Sequence, residues 1–144
     1  DKLSEGLIFL TNDGDIVNKI LRAGNGHEKE YIVTVDQPID ATFVQNMRNG
    51  VKIPGAVTNK CFVKQEGNEK FRIILTQGLN RQIRRMCEAL GYRVTSLKRI
   101  RIMNISISGL APGKWRYFTQ PEINAINLMV QHSSKTADAE GMGE

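Results

Sequence analysis

The sequence is poor in the groups from which metal and cofactor sites are usually built. Its 144 residues include two histidines and two cysteines. Cys61 and Cys87 lie far apart with no C-x-x-C spacing, which excludes a disulfide framework and a thiolate metal site and leaves reduced thiols in a cytoplasmic protein as the plain expectation. The stretch HEKEY at 27–31 is not H-E-x-x-H, and His132 sits beside a polar tail, so no metal is expected. There is no G-x-x-x-x-G-K-[ST], no dinucleotide fingerprint and no G-x-S-x-G, and so no sign of a nucleotide cofactor or of a serine hydrolase elbow. No apolar run approaches the roughly 18 residues that span a bilayer, which removes the membrane as a partner.

What is present is ordinary globular composition with an uneven charge. At 40% hydrophobic and 24% charged residues, the chain has the make-up of one domain with a real core. The net charge is +5. Residues 1–80 carry ten Lys/Arg against ten Asp/Glu, and residues 102–144 three against four. The excess therefore comes from 81–101, with seven against one. Such a concentration attracts a polyanion. Its plainer reading is a solvated basic face without a partner.

Along the chain, GLIFLT at 6–11 reads as a strand closed by the turn NDGD. Ile16, Val17, Ile20 and Leu21 recur at helical spacing, with Asp13 or Asp15 as N-cap and Gly24 as the stop. KEYIVTV at 29–35 is a strand, ended by Pro38, and Asp40 caps a helix carrying Phe43, Val44 and Met47 up to Gly50. Beyond a Pro54-Gly55 turn, CFVKQ and KFRIILT form a hairpin. NRQIRRMCEALG is a helix with Ile83, Met86, Cys87 and Leu90 on one face and Arg81, Arg84, Arg85 and Glu88 around the other, closed by Gly91. YRVTSLKRIRIMNISI is one or two long strands, with a change of phase between Ile102 and Met103 that suggests a bulge or bend. A short strand at 115–119 precedes a helix opened by a Thr119/Glu122 capping box.

These elements predict an α+β fold, a mixed and mostly antiparallel sheet with flanking helices, over residues 1–131, followed by a disordered tail at 132–144. The arginines at 81, 84 and 85 suit a phosphate or a carboxylate, or else are a solvated face with an Arg84–Glu88 pair. Tyr31 in a strand is more often core than site, and Asp1 is more often surface. Residues alone lead to a basic α+β domain that binds RNA or DNA.

Four stretches in order, DKLSEGLIFLTNDGD, HEKEYIVTV, QGLNRQIRRM and LKRIRI, resemble the motifs of the bacterial pseudouridine synthases that modify ribosomal RNA, the RsuA/RluB/RluE/RluF group, and among them most closely an enzyme of the large subunit. The resemblance covers residues 1–119. The family's first motif, Arg-Leu-Asp-x-x-(Ser/Thr)-x-Gly-Leu, matches Asp1, Ser4, Gly6 and Leu7 and makes Asp1 the catalytic residue. The resemblance thus implies the pseudouridine synthase fold in truncated form: the C-terminal part of a catalytic domain, without the Arg-Leu before the aspartate or the family's small N-terminal RNA-binding domain.

The family reaction breaks the bond between ribose C1′ and uracil N1, turns the base and rejoins it through C5, with no cofactor or metal. The aspartate attacks C1′ or removes a ribose proton, and both routes stay open. The resemblance implies that Arg84 pairs with Asp1, since a guanidinium favours the charged carboxylate against the effect of burial. Tyr31 stacks on the target base and helps remove the C5 proton, and Lys29 supports Tyr31 or touches backbone. Leu97 packs under the base. Arg81, Gln82, Arg85, Lys98, Arg99 and Arg101, with Arg93, are the implied contacts to RNA. The implied partner is large-subunit ribosomal RNA, met by a cytoplasmic monomer. A noncatalytic RNA-binding module, or an inactive fragment of a synthase, is the alternative.

Overall fold

The computed structural model describes residues 1–21 and 26–131. The order is β1 (Glu5–Gly6), α1 (Gly14–Leu21), β2 (Lys29–Val35), α2 (Ala41–Arg48), β3 (Lys52–Ile53), β4 (Ala56–Val57), β5 (Phe62–Gln65), β6 (Lys70–Leu75), α3 (Gln82–Ala89), β7 (Val94–Ile102), β8 (Ile105–Ser106) and α4 (Gln120–Val130). The main sheet runs β1-β7-β2-β6-β5, with β8 also on β7, and β3 and β4 form a small hairpin turning at Pro54 and Gly55. Only β1 and β7 are parallel; the other pairs are antiparallel. The fold is α+β on a mixed, mostly antiparallel sheet.

β2 is the strand on which the rest is organised. Its β-branched residues favour extended backbone, and alternation sends Lys29, Tyr31, Val33 and Val35 to one face and Glu30, Ile32 and Thr34 to the other. On the first face, Val33, Val63, Phe71 and Ile73 meet Phe43 and Met47 of α2 and Ile83, Met86 and Cys87 of α3. Helices of eight residues are marginal by themselves, so this apolar contact holds them. Each large side chain buried there contributes about 1.5–3 kcal/mol. Asp40 starts α2 by accepting from Phe43 N at 2.8 Å, and the Phe43 ring packs on Phe71 and Tyr92 at centroid separations of 5.4 and 4.4 Å.

A second core lies at the β1/β8 end. Leu7, Ile20, Ile102, Met103, Ile105, Ile126 and Val130 bring α1 and α4 together, and Phe9 meets Phe118 edge-on at 4.8 Å. Asp13 opens α1 by accepting from Asp15 N, and the Thr119/Glu122 capping box opens α4. No helix among the described residues is long and apolar enough to cross a membrane.

Three local expectations need correction. The strand expected over 6–11 shrinks to Glu5–Gly6, because β7 pairs Lys98 and Arg99 with these two residues and then gives Arg101 and Ile102 to β8. With that edge taken, the segment turns away: Leu7 is buried and Ile8 and Leu10 are exposed. The change of phase after Ile102 is a reversal of the chain through Met103, at φ +53°, and Asn104, which sends β8 back along β7. Residues 115–119 form no strand; Trp115 and Tyr117 are exposed and pack on each other, while Arg116 holds Glu122 at 2.8 Å. The Gly24 stop, His132 and the tail at 132–144 lie outside the described residues.

Candidate active site

The amino terminus is tied to the sheet by a two-residue parallel pairing. Gly6 sits opposite Arg99 with φ +110°, and a Cβ there would stand 2.6 Å from Arg99 N and 2.9 Å from its carbonyl carbon, with the oxygen nearer still. Only glycine permits that approach. Leu7 N donates to Arg99 O at 2.9 Å and Arg99 Nε returns a bond to Leu7 O at 2.8 Å. From this anchor the chain reaches back through a turn in which Ser4 N donates to Asp1 O at 3.1 Å, and Leu3 N donates to Asp1 Oδ1 at 3.1 Å.

The Asp1 carboxylate thereby meets the start of α3. Arg84 Nε donates to Asp1 Oδ2 at 2.5 Å, and Arg84 Nη2 lies 3.5 Å from Ser4 Oγ. Arg84 is only 7% exposed. The N-terminal segment covers that part of α3, so Arg84 does not belong to a solvated helix face. Arg81 precedes the helix in the left-handed region, φ +47° and ψ +37°, an unfavourable backbone for a non-glycine residue. Its guanidinium comes within 3.4 Å of Asp1 Oδ1. Two cations against one carboxylate form the environment of an ionised group.

Asp1 lines a cavity of about 620 Å³ together with Lys29, Tyr31, Leu97, Arg81, Gln82 and Arg99. Its floor is the sheet face that carries Tyr31 and Leu97, and the 79–83 stretch closes one side. The cavity presents a flat ring, an aliphatic side chain and a carboxylate within a volume that accommodates a small organic group. Gln82 is buried and tied to Gln77 at 3.3 Å, which makes it part of the wall.

Several expected RNA contacts lie elsewhere. Arg85 donates to the carbonyls of Asn80 at 3.0 Å and Pro54 and so braces the loops before α3 and between β3 and β4. Lys98, opposite Ile32, and Arg101, opposite Glu30, occupy register positions on the other sheet face. There Glu30 receives Arg101 Nε at 2.7 Å and Arg72 Nη1 at 2.5 Å, while Arg101 also holds Glu28 at 3.0 Å. Burial alone would raise the Glu30 pKa, but hydrogen bonds from Arg101 and Arg72 outweigh it and hold the carboxyl below its usual range. Arg93 is largely exposed, 4.0 Å from Asp36. The irregularity at Glu30/Tyr31 explains the split of Arg99 and Arg101 between faces. No such break is visible in the sequence.

The Glu30 network is what residue patterns did not single out, and Gly6 entered them only as a motif position, without its close approach to Arg99. The ordinary signal for Glu30 was its place in the alternation of KEYIVTV. Among the described residues no cluster of histidine, cysteine and carboxylate side chains is placed to hold a metal. Cys87 is buried within the core, and desolvation pushes its thiol up to about 12, so it is inert.

Comparison with known proteins places these features in a family setting. A family model described as RNA pseudouridylate synthase matches residues 1–89. The dual-specificity RNA pseudouridine synthase RluF of Salmonella typhi is 60% identical over 137 residues, covering 95% of this chain and 47% of that protein. The ribosomal large subunit pseudouridine synthase B of Haemophilus influenzae is 30% identical over 138 residues, covering 92% of this chain and 39% of that protein. A crystal structure of a pseudouridylate synthase superimposes with a TM-score of 0.79 at 27% identity, over 85% of this chain and 55% of that one. The chain spans about half the length of the curated relatives it matches.

Proposed function

The chain belongs to the RNA pseudouridylate synthase family, and from that premise we propose that it isomerises a specific uridine of large-subunit ribosomal RNA to pseudouridine, with Asp1 as the catalytic carboxylate. The observation that carries this reading is the Asp1–Arg84 contact at 2.5 Å, set into the wall of a cavity that also presents Tyr31 and Leu97. A noncatalytic RNA-binding module gives no reason to spend a buried arginine on a carboxylate instead of on phosphate.

In this reading the target base leaves its stack, at a cost of about a few kcal/mol that is least in loops and bulges, and enters the cavity. Tyr31 stacks on it and Leu97 packs beneath it. Asp1, kept ionised by Arg84 and Arg81, acts at the ribose, either forming a bond to C1′ or taking a sugar proton, as the C1′–N1 bond breaks. C5 of the turned base then bonds to C1′, C5 loses its proton and N1 gains one. No group enters or leaves, so the chemistry needs no redox partner or donor. Arg81 and Arg99 at the cavity, with Arg93 beyond it, supply positive charge to the flanking RNA backbone. All the residues invoked come from one chain, which suits a monomer, and the substrate puts its work in the cytoplasm.

The test is Asp1→Asn in a protein of the relatives' full length carrying this sequence, assayed on ribosomal RNA by mapping pseudouridine. The expected result is no product with RNA affinity nearly unchanged. Turnover by that variant refutes the reading.

A further inference from the structure

Lys29 is the one buried side-chain polar atom among the described residues whose Nζ has no hydrogen-bond partner. The residue is 3% exposed, at the start of β2, and lines the cavity beside Tyr31, two positions along on the same sheet face. Its register partners, Leu75 on β6 and Ile102 on β7, offer it nothing polar. The charged and titratable groups around it are Arg99 on β7, His27 just before β2 and Tyr31 on β2, with Asp1, Glu5 and Arg81 lining the same cavity. An amine buried without an acceptor and beside the Arg99 guanidinium is unfavourable in the empty protein, and an apolar side chain of that length would fit with less cost. Its position makes sense when something that accepts hydrogen bonds fills the cavity.

The acceptor follows from depth. A phosphate is tied to the strand outside, whereas the base is the part of a nucleotide that reaches the sheet face where Tyr31 and Leu97 stand. Uracil offers O2 and O4 as acceptors and N3–H as a donor, and a protonated lysine only donates. When the C1′–N1 bond breaks, its electron pair leaves with N1 and spreads onto O2 and O4, so those oxygens become more negative in the transition state than in the substrate. A donor aimed at them stabilises that state selectively.

We propose that Lys29 Nζ donates to a carbonyl oxygen of the extruded uracil and stabilises the uracil anion released by glycosidic cleavage. The inference rests on the uridine isomerase reading above and adds a catalytic residue to it. The lysine keeps its proton throughout; the proton lost from C5 and the one gained at N1 balance each other, and the product is an isomer of the substrate. Burial, and then the charge of Arg99, lower the Lys29 pKa from 10.5 to about 8. The cationic donor is thus present at neutral pH and disappears as pH rises through about 8.

The experiment compares wild type, Lys29→Met and Lys29→Gln in a protein of the relatives' full length, on a ribosomal RNA transcript, by single-turnover pseudouridine formation, RNA binding and thermal unfolding. Lys29→Met is expected to lower kcat by about 100-fold or more, with RNA affinity within about twofold and a Tm no lower than wild type. Lys29→Gln, a neutral donor that keeps the fold testable, is expected to lose less. Wild-type kcat/KM should fall above about pH 8, and both variants should lack that limb. A wild-type kcat in Lys29→Met and Lys29→Gln, a loss confined to RNA affinity, or a wild-type profile flat to about pH 9.5 overturns the inference. Its failure is distinguishable from failure of the reading beneath it, because there Asp1→Asn stays inactive while Lys29→Met turns over.

Discussion

Replacing Gly6 by alanine tests whether the two-residue pairing of β1 with β7 is what sets Asp1 in place. At φ +110° an L-residue is strained by about 1–3 kcal/mol. The new Cβ would lie 2.6 Å from Arg99 N, and ordinary contact begins at 3.4 Å. The strand must withdraw by about 0.8 Å or more. That displacement stretches the Leu7 N to Arg99 O bond well beyond its 2.9 Å and weakens its companion from Arg99 Nε. Two hydrogen bonds at about 1 kcal/mol each bring the expected loss of stability to about 3–5 kcal/mol. Because Asp1 hangs from this anchor, a shift approaching 1 Å should lower the rate of pseudouridine formation by about 100-fold. Gly55→Ala is the control, since Gly55 has φ +84° and a Cβ added there would meet nothing within 4 Å. It should cost only the backbone strain and leave the rate alone. Urea unfolding and single-turnover kinetics on both variants decide the matter. If Gly6→Ala is no worse than Gly55→Ala in stability and in rate, the close approach to Arg99 does not position the carboxylate.

Two further outcomes follow from the ion pairs. Arg84→Lys keeps the charge but loses the planar fork that touches both Asp1 and Ser4, so kcat should fall by about 10–100-fold with RNA affinity preserved; a wild-type single-turnover rate would remove Arg84 from the site. Glu30 has a folded pKa held below the ordinary 4.5 by Arg101 and Arg72, so its contribution is present above 4.5 and lost as pH falls through the folded value. Glu30→Gln should therefore cost about 1–3 kcal/mol at neutral pH and show a shallower loss of stability below pH 4.5 than wild type; equal acid unfolding curves by circular dichroism would contradict the network.

The sequence by itself determined the elements whose signals are local. β2 and α2 were legible from β-branched alternation and from Asp40 ahead of Phe43, Val44 and Met47, and the Thr119/Glu122 box marked α4, because propensity and capping act over one or two turns of chain. Ordered motifs also carried the family, since they are strings of residues in register. Tertiary structure alone decided which partner each strand finds: after Leu7 the chain leaves the sheet over residues 8–10 because β8, brought back by the reversal at Met103, occupies the next stretch of the β7 edge. It also decided the fate of the basic segment. Seven positive charges read as one patch along the chain, yet the fold turns Arg84 inward to Asp1, Arg85 onto backbone carbonyls and Arg101 to Glu30, and leaves Arg81 and Arg99 at the cavity. The physical reason is that a guanidinium reaches several ångströms and takes whatever acceptor the packing brings within reach. That acceptor comes from residues up to 92 positions away, a separation at which no spacing rule operates.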